Sequence, residues 1–165
     1  MKKYCFVILV ALLTGCAGLL EQPSSGPAPQ ASASNESFDM TISPIYEFGR
    51  FPIGFKLSVV NKTEKDLEID WNRTSFVDNG SSRAGFMFEG IRFADRNNPK
   101  QPDFVFAKGT FTKDIFPTAN VEWNTRISRP DWTFKELNSN CGVSLSVKAD
   151  GKEVRQNVIL PSVAR

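Results

Sequence analysis

Apolar and polar residues alternate along several stretches after residue 37. Ile53, Phe55, Leu57 and Val59 fall on one side of an extended segment, with Gly54, Lys56 and Ser58 on the other. Leu67, Ile69 and Trp71 alternate with Asp66, Glu68 and Asp70, and Val143, Leu145 and Val147 with Ser144, Ser146 and Lys148. Val154, Val158 and Leu160 mark a last strand. A period of two sends successive side chains to opposite faces of a strand. These runs therefore predict antiparallel sheets with one face in a core and one in water. Turn residues punctuate them: Asn61–Lys65, Asp78–Ser82, Asn97–Pro102 and the hairpin dipeptide Asp150-Gly151. Short strands between such turns predict a β-sandwich, and the whole of residues 37–165 is assigned to it.

The middle of the chain is less regular. Phe86-Met87-Phe88, Ile91-Arg92-Phe93 and Phe104-Val105-Phe106 are short apolar clusters between turns. Thr110–Pro117 reads as a strand. Residues 117–140 carry few strand signals, and Asp131–Leu137 is expected to form a helical turn.

The N-terminal region follows another pattern. Lys2 and Lys3 precede the apolar run Phe6–Leu13, which leads into Leu13-Thr14-Gly15-Cys16. Charge, apolar run and small residues in that order form an export signal over residues 1–15, too short for a permanent span of about 20 residues. Leu13-Thr14-Gly15-Cys16 resembles the lipobox of bacterial lipoproteins. The resemblance implies cleavage before Cys16, lipidation of its thiol and membrane attachment through that lipid. It also implies an outer-membrane address, because no aspartate follows the cysteine. The stretch 16–36, rich in Pro, Ser and Ala, has almost no apolar bulk and reads as a disordered tether.

Residues 57–80 add a second resemblance. Leu57–Thr63 followed by Leu67–Asn72 looks like the strand, Asn-x-Thr turn, strand hairpin of immunoglobulin-like bacterial envelope domains, with Phe76–Gly80 as a further strand and turn. The resemblance implies an immunoglobulin-like β-sandwich and no particular activity. A cysteine pair flanking Trp71 is missing, so the antibody-type disulfide core is absent. Asn61-Lys62-Thr63 and the other Asn-x-Ser/Thr triplets are read as turn residues.

Charge and composition restrict the chemistry. Loss of Lys2 and Lys3 with the signal leaves 18 basic against 18 acidic residues, so no basic excess remains for nucleic acid. Histidine is absent, which removes the commonest general base and zinc ligand. Cys5 lies in the signal and Cys16 in the lipobox, so Cys141 is the single remaining thiol and reads as a buried core residue. Asp70, Asp78, Glu89 and Asp95 read as solvated strand and turn acids rather than a catalytic pair. No cofactor or metal is expected. The sequence predicts a non-catalytic binding or assembly module with an envelope protein as partner. A small-ligand or glycan carrier and a carboxylate-dependent hydrolase are the alternatives. The candidate binding residues are the aromatics Phe104, Phe106, Trp123 and Trp132.

Overall fold

Alternation in the sequence becomes pairing in the computed structural model, which describes residues 29–48, 50–124 and 131–160. The expected signal segment 1–15, Cys16, the expected tether to residue 28 and the last five residues lie outside that description. The strands in chain order are β1 (Ala31–Ser34), β2 (Phe38–Glu47), β3 (Phe51–Asn61), β4 (Leu67–Ile69), β5 (Ser75–Asp78), β6 (Ser81–Ala84), β7 (Phe86–Met87), β8 (Asp103–Val105), β9 (Thr110–Pro117), β10 (Val121–Asn124), β11 (Asp131–Phe134), β12 (Cys141–Ala149) and β13 (Lys152–Ile159). Helical structure among the described residues is limited to 3-10 turns at Phe93–Asp95 and Thr118–Asn120. None of it is long and apolar enough to cross a membrane.

One sheet has the order β1-β2-β3-β9-β7. In the other, β12 is central. Its one edge pairs with β13; its other edge pairs with β5 at Cys141–Ser144 and with β4 at Val147–Ala149. Beyond these lie β6 and β8. All pairings are antiparallel. The inward faces meet in one core. Phe38, Met40, Ile42, Phe55, Leu57 and Val59 come from the first sheet, and Leu67, Ile69, Phe76, Val143, Leu145 and Val147 from the second. The fold is thus all-β and β-sandwich-like. Each fully buried Leu, Val or Phe contributes about 1.5–3 kcal/mol, so this face dominates the stability.

The predicted inward set is buried, but the opposite face of β12 is not in water as the alternation implied: Ser144 and Ser146 are buried too, and Ser146 Oγ donates to Glu153 at 3.0 Å. Ile53, Phe55, Leu57, Val59, Leu67, Ile69 and Trp71 are all buried, and Asp66 and Lys56 are exposed. Asp150 (φ 51°) and Gly151 (φ 74°) close the β12–β13 hairpin with two left-handed residues, as a primed turn requires. The Asn61 side chain is buried within the β3–β4 turn. Its Nδ2 donates to the carbonyls of Lys65 (2.8 Å), Val105 (3.0 Å) and Phe106 (3.0 Å), while its Oδ1 accepts from the Thr63 amide. Between β4 and β5 the chain leaves the ladder, and Asp70 and Thr74 complete it: the Asp70 amide donates to the Ser146 carbonyl, and Thr74 Oγ1 accepts from the Ser146 amide.

Two expectations are corrected. The tether expected over residues 16–36 stops short of that bound: Ala31–Ser34 form β1, paired with β2 from Ala31↔Ile42 to Ser34↔Asp39. Ala31 and Ala33 pack against the core, and Ser32 and Ser34 hydrogen-bond to Thr41 and Asp39. An edge strand gains its ladder bonds and these small contacts without bulky side chains, which is why composition alone missed it. The helical turn expected at Asp131–Leu137 is instead strand β11 at its start, paired with β10 so that Trp123 faces Trp132. Trp, Thr and Phe suit a pleated ribbon, and cross-strand aromatic pairing overrides the weak capping signal. Ring contact between Phe134 and Phe116 (4.9 Å) and the bond from the Leu137 amide to the Pro52 carbonyl (2.8 Å) tie this segment to the first sheet. Gly54, placed by alternation on the water side, lies beneath the Phe116 ring; a Cβ there would sit 2.6 Å from it.

Candidate functional site

The candidate site grows from a lysine on the wrong side of a strand. In β9, Phe111, Lys113 and Ile115 share the inward side, so Lys113 is directed among apolar side chains. Its ammonium lies 3.9 Å from the centre of the Phe88 ring, 5.4 Å from Trp71 and 5.7 Å from Phe111. Asp103, which opens β8, forms an ion pair with it. Asp103 Oδ2 also accepts from Trp71 Nε1 at 2.8 Å. The Trp71 and Phe88 rings are 5.1 Å apart. Ring faces and a carboxylate together compensate the partly desolvated charge. The result is a rigid, neutralised floor.

Above this floor the chain from Gly90 to Pro102 arches outward. Asn72 clips it, accepting from the Lys100 amide (2.8 Å) and donating to the Lys100 carbonyl (2.9 Å). Lys100 Nζ donates to the carbonyls of Arg96 (2.8 Å) and Asn98 (3.1 Å), and burial lowers its pKa below the usual lysine value. Arg92 pairs with Asp95 at 2.7 Å. Between arch and floor is a cleft of about 450 Å³, with a second of about 520 Å³ on the Lys56–Asp114 side. Both are lined by Phe88, Gly90 and Lys113. The lining mixes cations, carboxylates and one aromatic ring. Such a surface offers hydrogen bonds and ring contacts to a polar partner.

An aromatic stack stands on the same arch. Arg96 lies 4.0 Å from the centre of the Phe93 ring, and Phe93 stacks on Trp123 at 5.8 Å and 28°. Arg96 Nη1 also donates to the Phe93 carbonyl. Trp123 stays 43% exposed despite this support. It presents a held ring rather than a loose one.

The four sequence-predicted aromatics do not form one site. Trp123 and Trp132 face each other across the β10–β11 ribbon, which follows the end of β9. Trp132 is half-buried and meets Phe134 edge-on at 6.5 Å. Phe104 and Phe106 lie toward the start of β9 and are 54% and 72% exposed. Phe104 sits opposite Glu68, beside the Glu68–Lys148 ion pair. Sequence reasoning placed Phe93 among the central aromatic clusters but missed Arg96, Asp103 and Lys113. The signal for Lys113 was present: a lysine at an inward position of an alternating strand.

Cys141 is buried, and its pKa is pushed up to about 11, first by burial and then by the nearby Asp78 carboxylate. Asp78 is itself held by Arg83 (3.0 Å) and Asn138 (3.2 Å). Among the described residues no cluster of three or more Asp, Glu, Cys or His is placed to hold a metal ion. Comparison of the chain with protein-family models, with curated proteins and with solved structures found no match.

Proposed function

We propose that this protein is a lipid-anchored bacterial envelope protein that works by binding another envelope protein, without catalysis. Cys16 carries the lipid in this reading, and the outer membrane is the anchored surface. The lipobox and the charged apolar segment before it support the anchor. The domain is immunoglobulin-like in this reading. Strand order supports it: β2-β3-β9-β7 in one sheet and β4/β5-β12-β13 in the other follow the A-B-E-D and C-F-G arrangement of that architecture.

One observation carries the binding reading. Trp123 is braced by Phe93 and Arg96 yet 43% exposed, at the rim of the arch that bounds the cleft. Rigid aromatic rings flanked by arginine are the usual energetic centres of protein interfaces. The same ring beside polar groups would also suit a sugar face, which keeps glycan recognition as the second reading.

A photo-crosslinking residue at position 123 in intact cells tests the proposal, with position 104 as the comparison. The expected result is a discrete adduct with one envelope protein from position 123. Membrane-bound protein without an adduct at either position overturns the protein-binding reading. Turnover of an envelope substrate that vanishes in Asp103→Asn, with the fold intact, overturns the non-catalytic one.

A further inference from the structure

We propose that the β2–β3 hairpin tip is a second membrane contact, seating Phe48 in the bilayer interface beside the N-terminal lipid. This inference rests on the lipid-anchor reading above. Phe48 is 91% exposed, the most open large apolar side chain among those described. It also adopts φ 47°, a left-handed conformation that a bulky residue rarely takes. The fold therefore holds an aromatic ring out in solvent through an unfavourable backbone. Around it stand Tyr46, 37% exposed, the exposed Arg50 and the half-buried Phe51. The Arg50 amide donates to the Glu47 carbonyl at 2.9 Å, which closes the turn. Aromatic rings beside an arginine match the chemistry of a lipid interface, where rings enter the headgroup region and the cation meets anionic headgroups.

The direction of the chain selects lipid over other occupants. β1 is antiparallel to β2, and its first residue, Ala31, is opposite Ile42. β2 continues from Ile42 toward Phe48, so the chain enters β1 from the side of the tip. The tip lies six residues beyond Ile42, or about 20 Å at the rise of a strand. Fourteen residues lie between Cys16 and Ala31, so fifteen residue-to-residue steps separate them. That length spans about 20 Å as a flexible coil and about 45 Å when extended. A bilayer that holds the Cys16 lipid is thus within reach of the tip. The β3–β4 and β12–β13 turns lie at the opposite end of the sandwich. One lipid attachment with a free tether would leave the domain's orientation open. A second contact orients it, with the Asn61–Lys65 and Asp150–Gly151 turns facing away from the membrane.

The full chain, purified with its lipid and reconstituted in phosphatidylethanolamine–phosphatidylglycerol vesicles, tests this. An environment-sensitive fluorophore is attached to Phe48→Cys in one sample and Glu64→Cys in another; both positions are exposed, and buried Cys141 does not compete. Spin-labelled lipid should quench the label at position 48 at least fivefold more than at position 64. Equal quenching at the two positions overturns the proposal. So does a label at position 48 that is shielded from iodide but not quenched by lipid, since a protein then covers the tip. Failure of the anchor reading shows separately, as no fatty acid on Cys16. The chains are then labelled in a background carrying Cys5→Ser and Cys16→Ser and mixed with the vesicles, and the same quenching ratio decides the tip.

Discussion

Trp71 and Trp123 are made of the same parts and do opposite things. Each lies at or beside a short strand, touches a phenylalanine ring and has a basic side chain within the same cluster. Trp71 is 2% exposed, meets Phe88 at 5.1 Å and donates its indole N–H to Asp103. Trp123 stacks on Phe93 at 5.8 Å and keeps much of its ring in water. The difference is the second layer. Trp71 continues the inward face of β4 and is covered by the opposite sheet, whereas Trp123 sits on a ribbon outside the two main sheets. Packing makes one ring part of the scaffold and leaves the other available for recognition.

The largest effect should come from the buried ring. Trp71→Ala should lower the unfolding free energy by roughly 3–5 kcal/mol, the range for a buried aromatic, and release the Asp103–Lys113 pair into solvent. Denaturant unfolding measures it. A loss below about 1 kcal/mol would place Trp71 outside the core and erase the contrast.

Cys141 measures how dry the interior is. A pKa of about 11 against an ordinary 9.0 leaves about one hundredth of the usual thiolate. Iodoacetamide at pH 8 should therefore modify folded protein roughly a hundredfold more slowly than urea-unfolded protein. Equal rates would show that water reaches the sheet interface.

The smallest stability effect belongs to the exposed ring. Trp123→Ala should cost about 1 kcal/mol, because much of its surface is already in water and what is lost is the Phe93 stack and the cross-strand pairing with Trp132. Asp70→Ala, on the outward side of the Trp71 segment, should cost a similar amount for its bond to the Asn72 amide. Thermal melts of both variants check this. Trp123→Ala losing as much stability as Trp71→Ala would make the stack a structural prop.

Legibility followed the strength of the pattern. β3, β4 and β12 were visible because an inward apolar set repeated at every second residue, and β9 and β13 from sparser apolar positions between turns. β1 was hidden, since an alanine-serine edge strand looks like a linker until a neighbour offers ladder bonds. β11 was hidden because it is held by pairing with β10 and by the contact of Phe134 with Phe116, eighteen positions earlier in the chain. Of the aromatics named from the sequence, Phe104, Phe106 and Trp123 are exposed and Trp132 is half-buried, while Phe48 was not named; nothing local showed that Phe104 and Phe106 would stand apart from Trp123 and Trp132.

The sequence by itself determined the all-β class, the inward faces of the main strands and the primed turn at Asp150-Gly151. These depend on period, on apolar content and on local backbone preference, all of which are properties of a few consecutive residues. Only the tertiary structure decided which rings are covered, how Lys113 is neutralised by Phe88 and Asp103, and where the arch of residues 90–102 leaves a cleft. Those outcomes depend on side chains dozens of positions apart meeting across two sheets. Their energies come from burial and charge compensation, which no short window of sequence contains.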